Sequence, residues 1–360
     1  MNRYFLLSMF AICFLFGSCG KNADSHNSES TADVSKSNWM DQIYKNHPNT
    51  KLTAIAIPGT HDALTYQISE SNPYSLQPVN EWTEEVKTAV GKKGIFLFSQ
   101  NQSRTMAEQL SGGIRYFDFR IQEYNNEVWS FHHLVSNPLM PVIEEMSRFV
   151  ENHPKEILII DLQKVIMDDD TYNHLIKSFV DKFGRHIAKS DEIGVNSSLK
   201  DFWDKGVSVI ILSSFHTANK ENDTYVYDRS KSILNYWPDK YKPEEIVPIL
   251  KDSIALRPMN KLYVSQTIQS PNSLTLENSL KGGPDGIIEM VKAPNSLNNT
   301  FSNWFPQLAN AANMNDRSVN ILIFDQYQLN PIMIEGLLNY NQLNLKATIL
   351  KTNKSTLKTN

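Results

Sequence analysis

Cysteine is almost missing from this chain: of 360 residues only Cys13 and Cys19 carry a thiol, and both lie near the amino terminus. Everything after Cys19 is therefore without a disulfide, a cysteine nucleophile or a thiolate metal site. No HExxH helix, no cysteine cluster and no acidic loop with calcium spacing occurs, so the common signatures of a resident metal are absent. Nor is there a GxSxG elbow or a glycine-rich phosphate loop. Charge of one sign is scarce too. Thirty-five basic residues face 39 acidic ones, for a net charge of -4, and no long basic block interrupts the chain, so nothing marks a nucleic-acid partner. Long apolar runs are lacking as well: the stretch from Tyr4 to Phe16 is too short to span a bilayer.

What is present is ordinary globular composition, 41% hydrophobic and 21% charged, with enough apolar mass for a large core. An early arginine, the apolar stretch and small Gly17 and Ser18 before Cys19 read as a signal peptide over residues 1–18. The ending FGSC resembles a lipobox, which makes Cys19 the expected lipidation site of an exported, membrane-anchored protein; plain secretion is the alternative. Residues 19–38 are polar and aperiodic, a flexible tether. Residues 39–345 read as one catalytic domain, and residues 346–360 as a polar tail.

Short aliphatic runs predict strands at residues 52–57, 113–121, 128–133, 156–163, 207–212, 261–266 and 319–324. Helical spacing predicts helices at 105–112, 141–153, 171–183, 302–313 and 331–341, the first opened by Thr105 and Glu108 at capping-box separation. The acidic run 168–170 is read as the start of the third helix, where the dipole favours negative charge. Alternation of strand and helix makes the fold α/β with a parallel sheet. Seven strands in roughly 300 residues suit a closed or nearly closed (β/α) barrel, which pattern alone does not separate from an open sheet.

In such a barrel, functional groups gather where strands end. His61 and Asp62 follow the first predicted strand behind a Pro-Gly turn, delivered to the mouth. In GIRYFDFRI, alternation places Tyr116, Asp118 and Arg120 on one face and the aromatic residues on the other, so a charge pair is forced inside, where it must be paired or used. Alternation also sends adjacent His132 and His133 to opposite faces. Asp325 ends the last buried strand, placed either to orient an imidazole through its Nδ1 proton or to cap the helix near Pro331. Two histidines, an arginine and carboxylates are sufficient for metal-free acid/base phosphoryl transfer.

Taken together, IPGTHDALTY, NQSRTMAEQLSGGIRYFDFR, FHH and FVENHPKEILIIDLQ resemble the X domain of phosphatidylinositol-specific phospholipase C, in that family's order, over residues 52–163, and VNILIFDQY resembles its closing strand. The resemblance implies a distorted TIM barrel. It also implies cleavage of a phosphatidylinositol-type lipid at a membrane surface, the inositol 2-hydroxyl attacking phosphorus to release diacylglycerol and leave a cyclic phosphate. Carried over by position, His61 resembles the general base, oriented by Asp325, and His133 the general acid, with Asp62 as its carboxylate partner. Asp118 and Arg120 resemble the pair beside the phosphate. Metal-independent bacterial enzymes place an arginine where calcium-dependent relatives place acidic ligands, so Arg120 implies no cofactor. Where those enzymes carry basic residues on the middle strands, this chain has Gln163, with Lys164 beside it on the opposite face, and Ser213 and Ser214; Gln163 and Lys164 are the candidate headgroup contacts. A monomer is expected. The rival readings are a glycerophosphodiester phosphodiesterase, which would need an HR pair and acidic metal ligands near the first strand, and a non-catalytic surface lipoprotein that binds lipid or glycan.

Overall fold

The structure, a computed structural model, describes residues 34–76, 84–215, 217, 223–270, 281 and 295–356. Cys19, the expected leader and most of the expected tether lie outside the described residues. Among the described residues no helix is long and apolar enough to cross a membrane.

Among the described residues ten strands form one sheet: β1 (Ile57–Thr60), β2 (Tyr116–Tyr124), β3 (Glu127–His132), β4 (Leu134–Pro138), β5 (Leu158–Ile166), β6 (Val209–Ser213), β7 (Tyr227–Asp228), β8 (Ile233–Tyr236), β9 (Leu262–Gln266) and β10 (Ile321–Phe324). Eight of them run β7-β6-β5-β2-β1-β10-β9-β8, every adjacent pair parallel. That path is the cyclic order of an α/β TIM-like barrel with one ladder left unmade, between β7 and β8, among the described residues. Those two edges are joined instead by the one-turn helix Arg229–Ser232. β3 and β4 form an antiparallel extension of β2.

Buried on both faces, the central parallel strands are rich in aliphatic residues: Ile159, Ile160, Ile210, Ile211, Val264, Ile321 and Ile323 are fully enclosed. Helices Leu139–Asn152, Asp169–Phe183 and Phe301–Met314 each present a buried apolar stripe to that wall. The capping box forms as expected, Thr105 and Glu108 exchanging side-chain and backbone bonds, and Asp168 caps the third helix by accepting from Thr171 N at 2.8 Å. The barrel's N-terminal end is closed by buried Arg115. Its guanidinium meets Glu156 at 2.8 Å and donates to the carbonyls of Leu110, Ile114 and Ser37, while Trp39 Nε1 donates to Gly113 O.

The first strand is shifted from its expected place. Residues 52–54 form a 3₁₀ turn, and the pairing strand is IPGT, containing the proline and glycine read as a breaker. Pro58 is tolerated because β2 pairs with β1 only from Gly59 onward, while the bonds to β10 come from Ile57 N (2.7 Å to Asn320 O) and His61 N (3.2 Å to Phe324 O). Gly59 is required by crowding: a Cβ there would lie 2.8 Å from both Ile323 Cγ2 and Tyr116 Cδ1. The helix Ile332–Thr356 also runs well into the stretch expected to be a polar tail.

Candidate active site

Strand register builds the site. Thr60 pairs with Phe324 on one side and Phe117 on the other, so the next residues stand level: His61 and Asp325 just past the ends of β1 and β10, and Asp118 within β2. Asp118 pairs in turn with Asp161 on β5. One rung of the barrel thus carries Asp325, His61, Asp118 and Asp161.

His61 is held from both sides. Its Nδ1 lies 2.8 Å from Asp325 Oδ1. Asn101 Nδ2 donates to the same oxygen at 3.1 Å, and the buried Gln102 donates from Nε2 to the carbonyls of His61 (2.9 Å) and Phe324 (2.7 Å), stitching β1 to β10 where the ladder ends. Asp325 therefore orients the imidazole rather than capping the helix that begins at Ile332. The opposite nitrogen, Nε2, lies 2.9 Å from Arg120 Nη2, 3.5 Å from Asp62 Oδ2 and 4.0 Å from Asp118 Oδ2.

Asp62 gathers the second half of the site. Its Oδ1 is 2.5 Å from Arg120 Nε, and its Oδ2 is 3.2 Å from His132 Nδ1, which also faces Ser99 O at 3.2 Å. The histidine paired with Asp62 is therefore His132, not His133 as the resemblance implied. The physical reason is at the strand end. His133 has a left-handed backbone, φ 56°, which ends β3 and breaks the alternation, so the two rings stack at 4.5 Å instead of diverging. His132 is the ring that faces His61, with centroids 6.4 Å apart and planes at 73°. Asp62 (φ 44°) and Gln326 (φ 45°) share this left-handed geometry just past β1 and β10, so three strand exits around the site hold conformations that cost roughly 1 kcal/mol or more each.

Electrostatics divide the two imidazoles. Burial lowers the pKa of His61, but the charges of Asp62 and Asp325, with the Asp325 hydrogen bond, outweigh it and raise the value to about 9. Arg120 pulls the other way, and its N–H facing Nε2 needs a lone pair there, so the contact itself belongs to the neutral ring. His132 is pushed well below 6.5 by burial, then by Arg120 and His61. His133 falls to about 3 through burial and its neighbour His132. Asp118 rises to about 6, chiefly from burial, with Asp62 and Asp161 adding and Arg120 opposing.

His61, Asp62 and Asp118 could in principle share a cation, since one donor atom from each falls within 4.8 Å of the others. The same three side chains, however, are already met by Arg120, whose nearest nitrogens stand 2.9, 2.5 and 3.8 Å from them. The guanidinium takes the position that a metal would need, so the donor set does not fit a resident cation.

No protein-family model matches the chain. Mouse PI-PLC X domain-containing protein 2 is 25% identical over 261 residues, 71% of this chain and 76% of that protein. Human PI-PLC X domain-containing protein 3 is 25% identical over 272 residues, 73% and 83% of the two chains. Among solved structures, phosphatidylinositol-specific phospholipase C from Listeria monocytogenes superposes with a TM-score of 0.54 at 19% identity, covering 85% of this chain and 99% of that one. A single-site variant of the Staphylococcus aureus enzyme gives 0.53 at 16% identity, covering 85% and 97%. The chain resembles the PI-PLC X domain in sequence and shares the bacterial enzymes' barrel.

Within this X-like barrel, five of the six expected catalytic residues meet directly: His61, Asp62, Asp118, Arg120 and Asp325. His133 stands one ring behind. Gln163 joins the cluster: with its amide oriented so that nitrogen faces carboxylate, it donates to Asp118 Oδ1 and Oδ2 at 2.8 and 2.9 Å. Lys164 does not: it is exposed, although a bulge in the ladder makes it the register partner of Arg120. Sequence reasoning missed Gln102, Asn101 and Asp161. Asp161 was within reach, since it shares a strand face with Gln163; the two amides lie on a loop whose position only the fold reveals.

Proposed function

We propose that this protein is a metal-independent phosphodiesterase that cleaves phosphatidylinositol-type lipids by intramolecular attack. The inositol 2-hydroxyl gives its proton to His61 Nε2 as its oxygen bonds to phosphorus. The phosphorus–oxygen bond to diacylglycerol breaks, and His132 supplies a proton to the departing oxygen, leaving a cyclic inositol phosphate. Asp325 fixes the His61 tautomer through Nδ1, Asp62 orients His132, and Arg120 neutralises the non-bridging oxygens with a permanent charge.

The observation that carries this reading is the pairing of two imidazoles, 6.4 Å apart, His61 on Asp325 and His132 on Asp62, with the Arg120 guanidinium 2.9 Å from His61 and 2.5 Å from Asp62. A phosphodiester placed against Arg120 would have a proton acceptor on one side and a donor on the other. The catalytic form carries one proton on the pair. In the free site that proton favours His61, and turnover draws on the form in which it sits on His132. With the leader expected from the sequence, the reading makes the protein an exported monomer anchored through Cys19, working at a membrane surface without nucleic acid or cofactor.

The test is incubation of the purified protein with phosphatidylinositol vesicles in EDTA, followed by phosphorus NMR. A cyclic phosphate resonance is expected. A product that appears only with added metal, with no cyclic species, would instead indicate a metal-dependent diesterase, and no product at all a binding protein.

A further inference from the structure

Both proposed proton carriers rest on one short segment that belongs to neither of their strands. The helix Glu84–Ser99 ends beside the site, and the Ser99 carbonyl faces His132 Nδ1 at 3.2 Å, the nitrogen that Asp62 Oδ2 also meets at 3.2 Å. Two residues on, Asn101 Nδ2 donates at 3.1 Å to Asp325 Oδ1, the oxygen that His61 Nδ1 meets at 2.8 Å. Gln102 follows with its two bonds to the carbonyls of His61 and Phe324. Residues 99–102 therefore touch the acid, the base and the carboxylate of the base.

The segment is fixed from both flanks. Buried Thr65, close behind His61 in the chain, donates its hydroxyl to Asp62 O at 2.8 Å and accepts the backbone N–H groups of Asn101 and Gln102 at 3.1 and 3.0 Å. A hydroxyl has one donor and two lone pairs, so Thr65 is fully used. Opposite, Gln326 donates from its backbone to Asn101 O at 2.8 Å and from Nε2 to Gln100 O at 2.7 Å. The exits of β1 and β10 are thereby tied to the segment that meets both rings.

The two contacts act differently. A carbonyl oxygen can only accept, so Ser99 O is satisfied by His132 only while Nδ1 carries a hydrogen, which leaves Nε2 to take up and release the mobile proton. Asp62 is a weaker guarantee of that tautomer, because its other oxygen already serves Arg120 and a carboxylate can itself gain a proton. At His61, the Asn101 amide shares one carboxylate oxygen with the ring and offsets part of its charge. The charged and titratable groups facing that ring are Asp325 at Nδ1, Arg120, Asp62 and Asp118 at Nε2, and His132 across the site. Asn101 adds an uncharged donor to this set.

We propose that residues 99–102 are the positioning segment of the site: Asn101 aligns His61 and tempers its attraction for a proton through Asp325, while the Ser99 carbonyl holds His132 as the Nδ1–H tautomer. Acid and base are then set by one piece of chain, so a displacement of that piece misaligns both. This rests on the phosphodiesterase reading above, and the deciding measurement needs no turnover.

The full chain, labelled with nitrogen-15 in its nine histidines, gives ring tautomers and titration curves by long-range proton–nitrogen correlation NMR. At mildly alkaline pH, His132 of the wild type should be the Nδ1–H tautomer, and it should remain so in Asp62→Ala, which leaves Ser99 O as its acceptor. In Asn101→Ala, His61 should titrate about half a pH unit or more above wild type, because Asp325 keeps its full charge, and in Asn101→Asp further in the same direction. On phosphatidylinositol vesicles Asn101→Ala should lose about tenfold in kcat, the worth of one hydrogen bond to a charged group, with KM within about threefold and the alkaline limb moved up. His132 found as the Nε2–H tautomer in wild type or in Asp62→Ala would overturn the part given to Ser99, and a His61 titration indifferent to position 101 would overturn the part given to Asn101. Cleaved lipid with unmoved titrations leaves the phosphodiesterase reading standing and sinks the role of the segment; shifted titrations in a protein that cleaves nothing do the reverse.

Discussion

His61 and Asp325, 264 residues apart in sequence, meet at 2.8 Å because β1 and β10 are neighbours in register and each residue is the first beyond its strand. This contact fixes which imidazole nitrogen faces the rest of the site.

Removing the carboxylate therefore changes acidity as well as orientation. Asp325 favours the imidazolium, so Asp325→Asn lowers the pKa of His61 from about 9. The kcat/KM profile of the wild type should be bell-shaped, with an alkaline limb near pH 9 and an acid limb below pH 6.5. In Asp325→Asn the alkaline limb should move to lower pH, with activity reduced. An alkaline limb that stays in place would remove Asp325 from its assigned role.

Replacing His61 with alanine removes the proton acceptor, with an expected loss of about 10²- to 10⁴-fold in kcat. The far-ultraviolet spectrum and thermal midpoint should be retained, because the strand wall beneath His61 is aliphatic and independently packed.

The two adjacent histidines are separable by leaving group. His132→Ala should lose about 10²- to 10⁴-fold on a lipid, whose alkoxide must be protonated, and far less on an aryl phosphodiester, whose phenoxide need not be. His133→Ala should show no such dependence on the leaving group. The reverse pattern would restore His133 as the proton donor.

Arg120→Lys keeps the charge but loses the planar fork that spans His61, Asp62 and Asp118, and activity should fall about 10²- to 10³-fold. Wild-type turnover should be unchanged in EDTA. Calcium-restored activity in either protein, measured by the same NMR assay, would contradict the assignment of Arg120.

Gly59→Ala tests the wall rather than the chemistry. Its methyl would press on Ile323 and Tyr116, both buried, and the overpacking should cost about 1–3 kcal/mol in denaturant unfolding. An alanine variant as stable as wild type would show that the β1, β2 and β10 wall can relax.

The aliphatic runs of β5, β6, β9 and β10 were readable because strands buried on both faces leave an uninterrupted apolar record. Charged residues within such a run, Asp118 and Arg120, could be assigned to the interior for the same reason. Less legible was β1, whose Pro58 and Gly59 carry the composition of a turn but occupy positions where one needs no N–H and the other no Cβ. The seam strands β7 and β8, two and four residues long, leave almost no periodic signal. His133 was preferred by spacing, and a single left-handed residue, invisible to alternation, transferred the Asp62 contact to its neighbour.

An incompletely zipped barrel carries a hazard of its own, because a free strand margin is a template on which other chains can polymerise. Here the two margins flanking the gap are among the shortest strands of the sheet, and the helical turn between them carries Arg229, whose guanidinium is tethered inward to Asp161. Among the described residues so few unsatisfied amides remain along either margin that a second molecule would find little to zip onto, and the wall can stay open without becoming a nucleus for aggregation.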